Sequence, residues 1–170
     1  MGITIRCATV EDAPAISEIY ALSWKTAYRG MVPQQYLDEL KLNFWKAKFE
    51  NWIGKNEMKA DILYADKAPV GCVAYRKARD EQFAGWGEIV SIYIHPSHYR
   101  KGYGKMLLDT ALKNLKMHGY QDCYLWVLAE NCNAQQFYKK NGFIDNGDKC
   151  ECEIMGKQLT DLRYIRQTVI

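Results

Sequence analysis

Apolar and polar positions fall into blocks with two different periods. Ile3 and Ile5 alternate with Thr4 and Arg6, the period-two signature of a short strand. Thr9-Val10-Glu11-Asp12 fits the Thr-x-x-Asp/Glu capping box. Ala15, Ile16, Ile19, Tyr20 and Ser23 follow at helical spacing and predict a helix over about 12–27, stopping before Arg29-Gly30. A second helical stretch after Pro33 carries Tyr36, Leu37 and Leu40, and a third carries Phe44, Trp45, Phe49 and Trp52 and ends at Gly54. The period then changes. Residues 61–65 and 70–75 read as two strands, with Lys67-Ala68-Pro69 between them at hairpin length. Glu88 to Ile94 is a longer strand, apolar on both faces and so expected at the centre of a sheet, and Pro96 ends it. A helix over 104–118 presents Leu107, Leu108, Ala111, Leu112 and Leu115 on one face and stops at Gly119. A strand over 123–128, a helix capped by Asn133 and ending at Asn141-Gly142, and two strands near 143–151 and 153–166 complete the order. Hairpin strands followed by strand–helix–strand imply a mixed sheet with helices packed on it.

Composition adds bounds. The 170 residues suit one domain, 1–170, and 48% hydrophobic with 25% charged residues is a globular balance. A net charge of +3 is too mild for the dense basic stripe of a nucleic-acid binder, so no nucleic-acid partner is expected. No run approaches the roughly 18 apolar residues of a membrane span, and the first residues lack a leader-like apolar stretch. With six cysteines and no CxxC pair, the expectation is a cytoplasmic chain with free thiols. His95, His98 and His118 lack ligand spacing and Cys150-Glu151-Cys152 is too sparse alone for zinc, so no metal is expected. Aromatics are 13% of the chain, a large apolar payload for one core or one pocket. Arg76-Lys77-Ala78-Arg79, followed by Asp80-Glu81, reads as a solvated hairpin end that could meet an acidic partner.

The most informative stretch is Ile92-Tyr93-Ile94-His95-Pro96-Ser97-His98-Tyr99-Arg100-Lys101-Gly102-Tyr103-Gly104-Lys105. A buried strand feeds a basic, glycine-containing turn that opens a helix. The first turn of a helix leaves N–H groups unpaired and carries about half a positive charge. Gly102 and Gly104 admit an anion to those amides, and Arg100, Lys101 and Lys105 add full charges, which calls for a phosphate or pyrophosphate. No GxxxxGK[ST] string exists, and Leu107 stands where a dinucleotide fingerprint needs its third glycine. The plain alternative is a basic helix start after a flexible turn.

A second motif lies one strand downstream, where Asn131-Cys132-Asn133-Ala134-Gln135-Gln136-Phe137-Tyr138-Lys139-Lys140-Asn141-Gly142-Phe143 follows N-x-x-A-x-x-[FL]-Y-x-x-x-G-F. Together the two motifs resemble the GNAT superfamily of acetyl-CoA-dependent N-acetyltransferases, most strongly over 86–143, with 23–33 and Leu162-Arg163-Tyr164 fitting as flanks. The resemblance implies an α/β fold, mixed α+β, with a central, mostly antiparallel sheet of about six to seven strands flanked by helices. It implies that the backbone of Ile92, Tyr93 and Ile94 meets the acetyl and pantetheine arm of acetyl-CoA, that Arg100, Lys101, Gly102, Tyr103, Gly104 and Lys105 cradle its pyrophosphate, and that Asn131 contacts the pantetheine. The family's [QR]-x-x-G-x-[GA] is departed from at its first position, Tyr99, which bears on a local side-chain contact only.

Tyr138 matches the position that protonates the leaving thiolate, against the plain reading of a tyrosine packed on Phe137. Glu88 matches a place where family members carry a catalytic carboxylate, whose pKa burial would raise; the plain reading is an exposed strand-end acid. Trp24 and Tyr28 share a helix face in the region that covers the acceptor pocket, as does the Phe44–Trp52 group, although aromatic stripes at helical spacing are first read as core. Glu11, Asp12, Glu18, Asp38 and Glu39 could attract a cationic amine or be ordinary surface. The implied activity is transfer of acetyl to a primary amine on a small molecule or protein, in a ternary complex, with homodimerisation common in the family. The alternative is an acyl-CoA-binding sensor or interaction module without turnover.

Overall fold

The computed structural model describes residues 2–168, so residues 1, 169 and 170 of the expected 1–170 domain lie outside the described residues. The strands are β1 (Ile3–Cys7), β2 (Lys59–Ala65), β3 (Ala68–Lys77), β4 (Gly87–Ile94), β5 (Cys123–Leu128), β6 (Ile144–Ile154) and β7 (Lys157–Arg166). The helices are α1 (Ala13–Ala27), α2 (Gln34–Glu39), α3 (Lys46–Gly54), α4 (Tyr103–Met117) and α5 (Cys132–Lys140). One sheet runs β1-β2-β3-β4-β5-β7-β6, and every neighbouring pair is antiparallel except β4 with β5. The expected mixed, mostly antiparallel sheet with flanking helices is therefore the fold.

Each sheet face has its own core. On one side α1 and α3 pack Ile16, Ile19, Tyr20 and Phe49 onto Ala60, Ile62 and Cys72. On the other, α4 lays Leu107, Leu108, Ala111 and Leu115 onto Val73, Ile89 and Leu125. Gly87 permits that close approach, because a Cβ there would meet Leu115 Cδ2 at 2.7 Å. Trp45 and Phe49 are core, so the Phe44–Trp52 group packs rather than lines a pocket, with Phe44 exposed.

Local chemistry moved several boundaries. Asp12 accepts from the Thr9 amide at 2.8 Å and is clamped by Arg6 at 2.7 Å, so a one-turn 3-10 helix over Val10–Asp12 precedes α1 and Asp12 serves this local ion pair. The β2–β3 turn is Asp66-Lys67, not Lys67-Ala68-Pro69, since both residues take positive φ (49° and 71°), whose twist matches a two-residue hairpin. Met155-Gly156, at φ 47° and 80°, does the same for β6–β7 and lengthens β6 beyond the expected end at 151. Asn131 rather than Asn133 caps α5, its Oδ1 accepting from the Ala134 amide at 3.2 Å.

Candidate active site

The sheet opens at its middle. β4 pairs with β5 only at Gly87↔Cys123, Glu88↔Tyr124 and Ile89↔Leu125, after which the strands separate. On the other edge of β4, Ala74 pairs with Ser91 and Tyr75 with Ile89, which leaves Val90 as a bulge. From Val90 onward one edge of β4 therefore faces a cleft rather than a strand. A cavity of about 1170 Å³ fills that cleft and runs to both sides of it. Ile92, Tyr93, Ile94, Arg100, Gly102, Tyr103, Gly104, Lys105, Asn131, Tyr138, Trp24, Tyr28 and Glu88 all line it. The fold thus brings together every expected site residue except Lys101, which is exposed on the turn beside it.

At one end lies the anion cradle. The amides of Arg100 through Lys105 have no backbone partner outside α4 among the described residues, and the first turn of α4 cannot supply one. Arg100 (φ 61°) and Gly102 (φ 81°) turn this run of amides into a concave nest. The Lys105 ammonium is engaged by Asp109 one turn on, so its amide is the free contribution it brings. These donors suit the pyrophosphate of a CoA thioester. Gly102→Ala places a Cβ in the left-handed region and is expected to weaken acetyl-CoA binding several-fold, with a stability loss of about 1 kcal/mol, read by calorimetric titration and thermal melting.

Between the ends stands Tyr138. Its ring packs against Phe137 and Phe143 at centroid distances of 5.3 and 5.7 Å, and its hydroxyl has no hydrogen-bond partner among the described residues. Burial, helped by the nearby Tyr28, raises its pKa, so the phenol keeps its proton through the physiological range. Asn131 spends its Oδ1 on the cap of α5, which leaves its amide NH₂ free toward the cavity.

The far wall is aromatic and hydrogen-bonded. Trp24 Nε1 donates to the Tyr93 hydroxyl at 3.0 Å, and the Tyr28 and Tyr93 hydroxyls lie 3.1 Å apart. Tyr93 is held further by Tyr20, edge-on at 4.5 Å. Desolvation raises the pKa of both Tyr28 and Tyr93, so both remain neutral.

Glu88 corrects an expectation. It is 2% exposed rather than an open strand end, yet its pKa is lowered, not raised. Burial alone would raise it, but Arg79 donates to both oxygens (2.8 and 3.2 Å), Arg76 donates at 3.3 Å, and Tyr124 donates at 3.3 Å. The basic run at 76–79, read as a solvated hairpin end, has found this carboxylate within its own chain. A carboxylate so saturated is a poor proton acceptor.

Sequence reasoning missed Asp161 of β7, which lines the cavity among Leu128, Cys150 and Cys152. The readable signal was an acid on the inward row of a strand, between Leu159 (3% exposed) and Arg163 (6% exposed). All six cysteines are free thiols, and burial pushes Cys123 up to about 12, so it is inert. No group of three metal-ligating residues occurs among the described residues, and no helix there is long and apolar enough to cross a membrane.

A split parallel pair beside a helix-start nest suits an extended thioester with a phosphate-bearing end, and comparison with known proteins gives the class. The model of the acetyltransferase (GNAT) family matches residues 16–143. A spermidine N(1)-acetyltransferase of Thermoplasma acidophilum is 31% identical over 148 residues, covering 84% of this chain and 89% of the relative. The crystal structure of the PaiA N-acetyltransferase from Thermoplasma acidophilum in complex with coenzyme A superposes with a TM-score of 0.81 at 25% identity, covering 99% of this chain and 100% of that one. YncA from Salmonella typhimurium, solved with acetyl-CoA, shares the fold at TM-score 0.75 and 19% identity, over 98% of this chain and 94% of that one. The chain belongs to the GNAT acetyltransferase family and is an acyltransferase.

Proposed function

We propose that the protein moves an acetyl group from acetyl-CoA to the primary amine of a cationic small molecule, within a ternary complex. The observation that carries this reading is the continuity of one cavity from an unpaired amide nest, past a free phenol, to an aromatic wall on the opposite side of the cleft. The similarity to a spermidine N(1)-acetyltransferase supports a polyamine as acceptor. Acetyl-CoA, when bound, supplies a thioester as acyl donor.

The chain's own groups do the rest. The cradle amides hold the pyrophosphate. The unpaired edge of β4 from Val90 to Ile94 aligns the pantetheine arm and offers an N–H to the acyl oxygen as negative charge develops there. The Tyr138 hydroxyl donates its proton to the departing sulfur, and the proton released by the newly formed amide returns through water to the phenol. Carbon–nitrogen bond formation and carbon–sulfur cleavage thus balance as amide plus free thiol. No cysteine nucleophile is required.

Deprotonating an ammonium of pKa about 10.4 at neutral pH costs roughly 5 kcal/mol. Glu88 is ionised and saturated, and Tyr138 stays protonated, so neither titrates between about pH 6 and 9. The acceptor therefore enters as its neutral minor form. kcat/KM is expected to rise close to tenfold per pH unit over that range, and a plateau near pH 7 would assign a protein base instead. The first experiment is CoA release against a panel of amines; acetyl-CoA binding with no turnover on any amine would favour a sensor.

A further inference from the structure

Two carboxylates line the cavity among the described residues, and they differ in their partners. Glu88 is neutralised by Arg76 and Arg79. Asp161 has neither a hydrogen bond nor an ion pair among the described residues, although it is half-buried. A half-buried carboxylate without a partner costs stability, and such a residue in a cleft points to a ligand that completes it.

The surroundings say which ligand. The cradle end of the cavity carries the Arg100 guanidinium and the unpaired amides of the nest. Asp161 belongs to the opposite side, where β7 runs between β5 and β6: it pairs with Leu128 on one flank and Cys150 on the other. Tyr28, Tyr138 and Asp161 line the same cavity. Leu128, Ile154 and Leu159 supply apolar wall alongside. An ammonium tethered by an alkyl chain fits this arrangement: charge at the carboxylate and methylenes on the apolar wall.

We propose that Asp161 is a specificity-determining residue, its carboxylate pairing with a second ammonium of a linear di- or polyamine whose first amine lies at the β4–β5 cleft. This deepens, and rests on, the acetyltransferase reading above. It assigns the acceptor's tail to the β7 wall and leaves the acyl-transfer chemistry to other residues.

The test compares linear diamines, from diaminobutane to diaminooctane, with n-alkylamines of matching length, in wild type and Asp161→Asn. Wild type is expected to favour the best diamine over its alkylamine by ten- to hundredfold in kcat/KM, mainly through KM. Asp161→Asn is expected to erase that preference and leave the alkylamine rate within about twofold. Its melting temperature should be unchanged or higher, because the carboxylate removed has no partner in the free protein. Asp161→Lys, paired with an ω-amino carboxylate as acceptor, is expected to reverse the preference. Equal losses on diamine and alkylamine, or an unaltered preference, would overturn the assignment while leaving the transferase reading intact. Absence of wild-type turnover on every amine, with acetyl-CoA bound, would overturn the reading beneath it.

Discussion

Tyr138→Phe is expected to lower kcat by about 100-fold or more while leaving acetyl-CoA affinity and folding nearly untouched. General acid catalysis by a placed side chain contributes roughly 10²–10⁴ in rate, and 100-fold corresponds to about 2.7 kcal/mol of transition-state stabilisation. Two features make the substitution a clean one. The hydroxyl has no partner among the described residues, so its loss orphans no buried group. The ring keeps its contacts with Phe137 and Phe143, so α5 stays seated on the end of the sheet. Stability should therefore change by no more than about 0.5 kcal/mol. Steady-state kinetics with acetyl-CoA varied, calorimetric binding and thermal melting separate the effects. A variant with full turnover would reduce Tyr138 to a packing residue of α5. Burial raises the pKa of this phenol, so it is protonated and has a proton to give when the sulfur departs.

How much of this could be read in the sequence depends on how local each feature is. The nest was legible because its causes are neighbours in the chain: Arg100 to Lys105 carry the glycine, the charges and the helix start within six positions. The α4 face was legible for the same reason, since Leu107, Leu108, Ala111 and Leu115 follow one helical row and are all buried. The cleft was not legible from periodicity. It exists because β4 and β5 stop pairing at Ile89↔Leu125, a matter of register between strands more than thirty residues apart. Glu88 shows the opposite failure. Its position was readable, but its ionisation depends on Arg79, which reaches back from a turn that looked like solvated surface. Asp161 was overlooked because the strand period puts Leu159, Asp161 and Arg163 on one face but does not say which face lines the cavity, which depends on where β7 sits between β5 and β6.

The second large effect is expected at Glu88, and it is an effect on stability more than on chemistry. Glu88→Gln removes the charge that holds Arg76 (side chain 13% exposed) and Arg79 (63% exposed) at one point of the cleft. Breaking a fully buried pair by deleting one partner costs about 3–5 kcal/mol. Arg79 can return to water and Arg76 can do so only in part, so about 2–3 kcal/mol is expected, or a fall in melting temperature of roughly 5–10 °C for a domain of this size. The pH dependence has a definite sign. The folded-state pKa of Glu88 lies below the ordinary carboxyl value, so the stabilisation is complete above the unfolded-state pKa of about 4.3 and fades as pH falls through the folded value. The gap in melting temperature between wild type and Glu88→Gln should therefore be constant from pH 6 to 8 and close in acid. Below the variant's melting point its kcat should stay within about tenfold of wild type, because a carboxylate occupied by two guanidiniums and the Tyr124 hydroxyl has little capacity to take a proton. A loss of several hundredfold in a folded variant, together with a pH profile that loses its acid limb, would instead return Glu88 to the role of proton acceptor, reached through a water on the cavity side of its ion pairs.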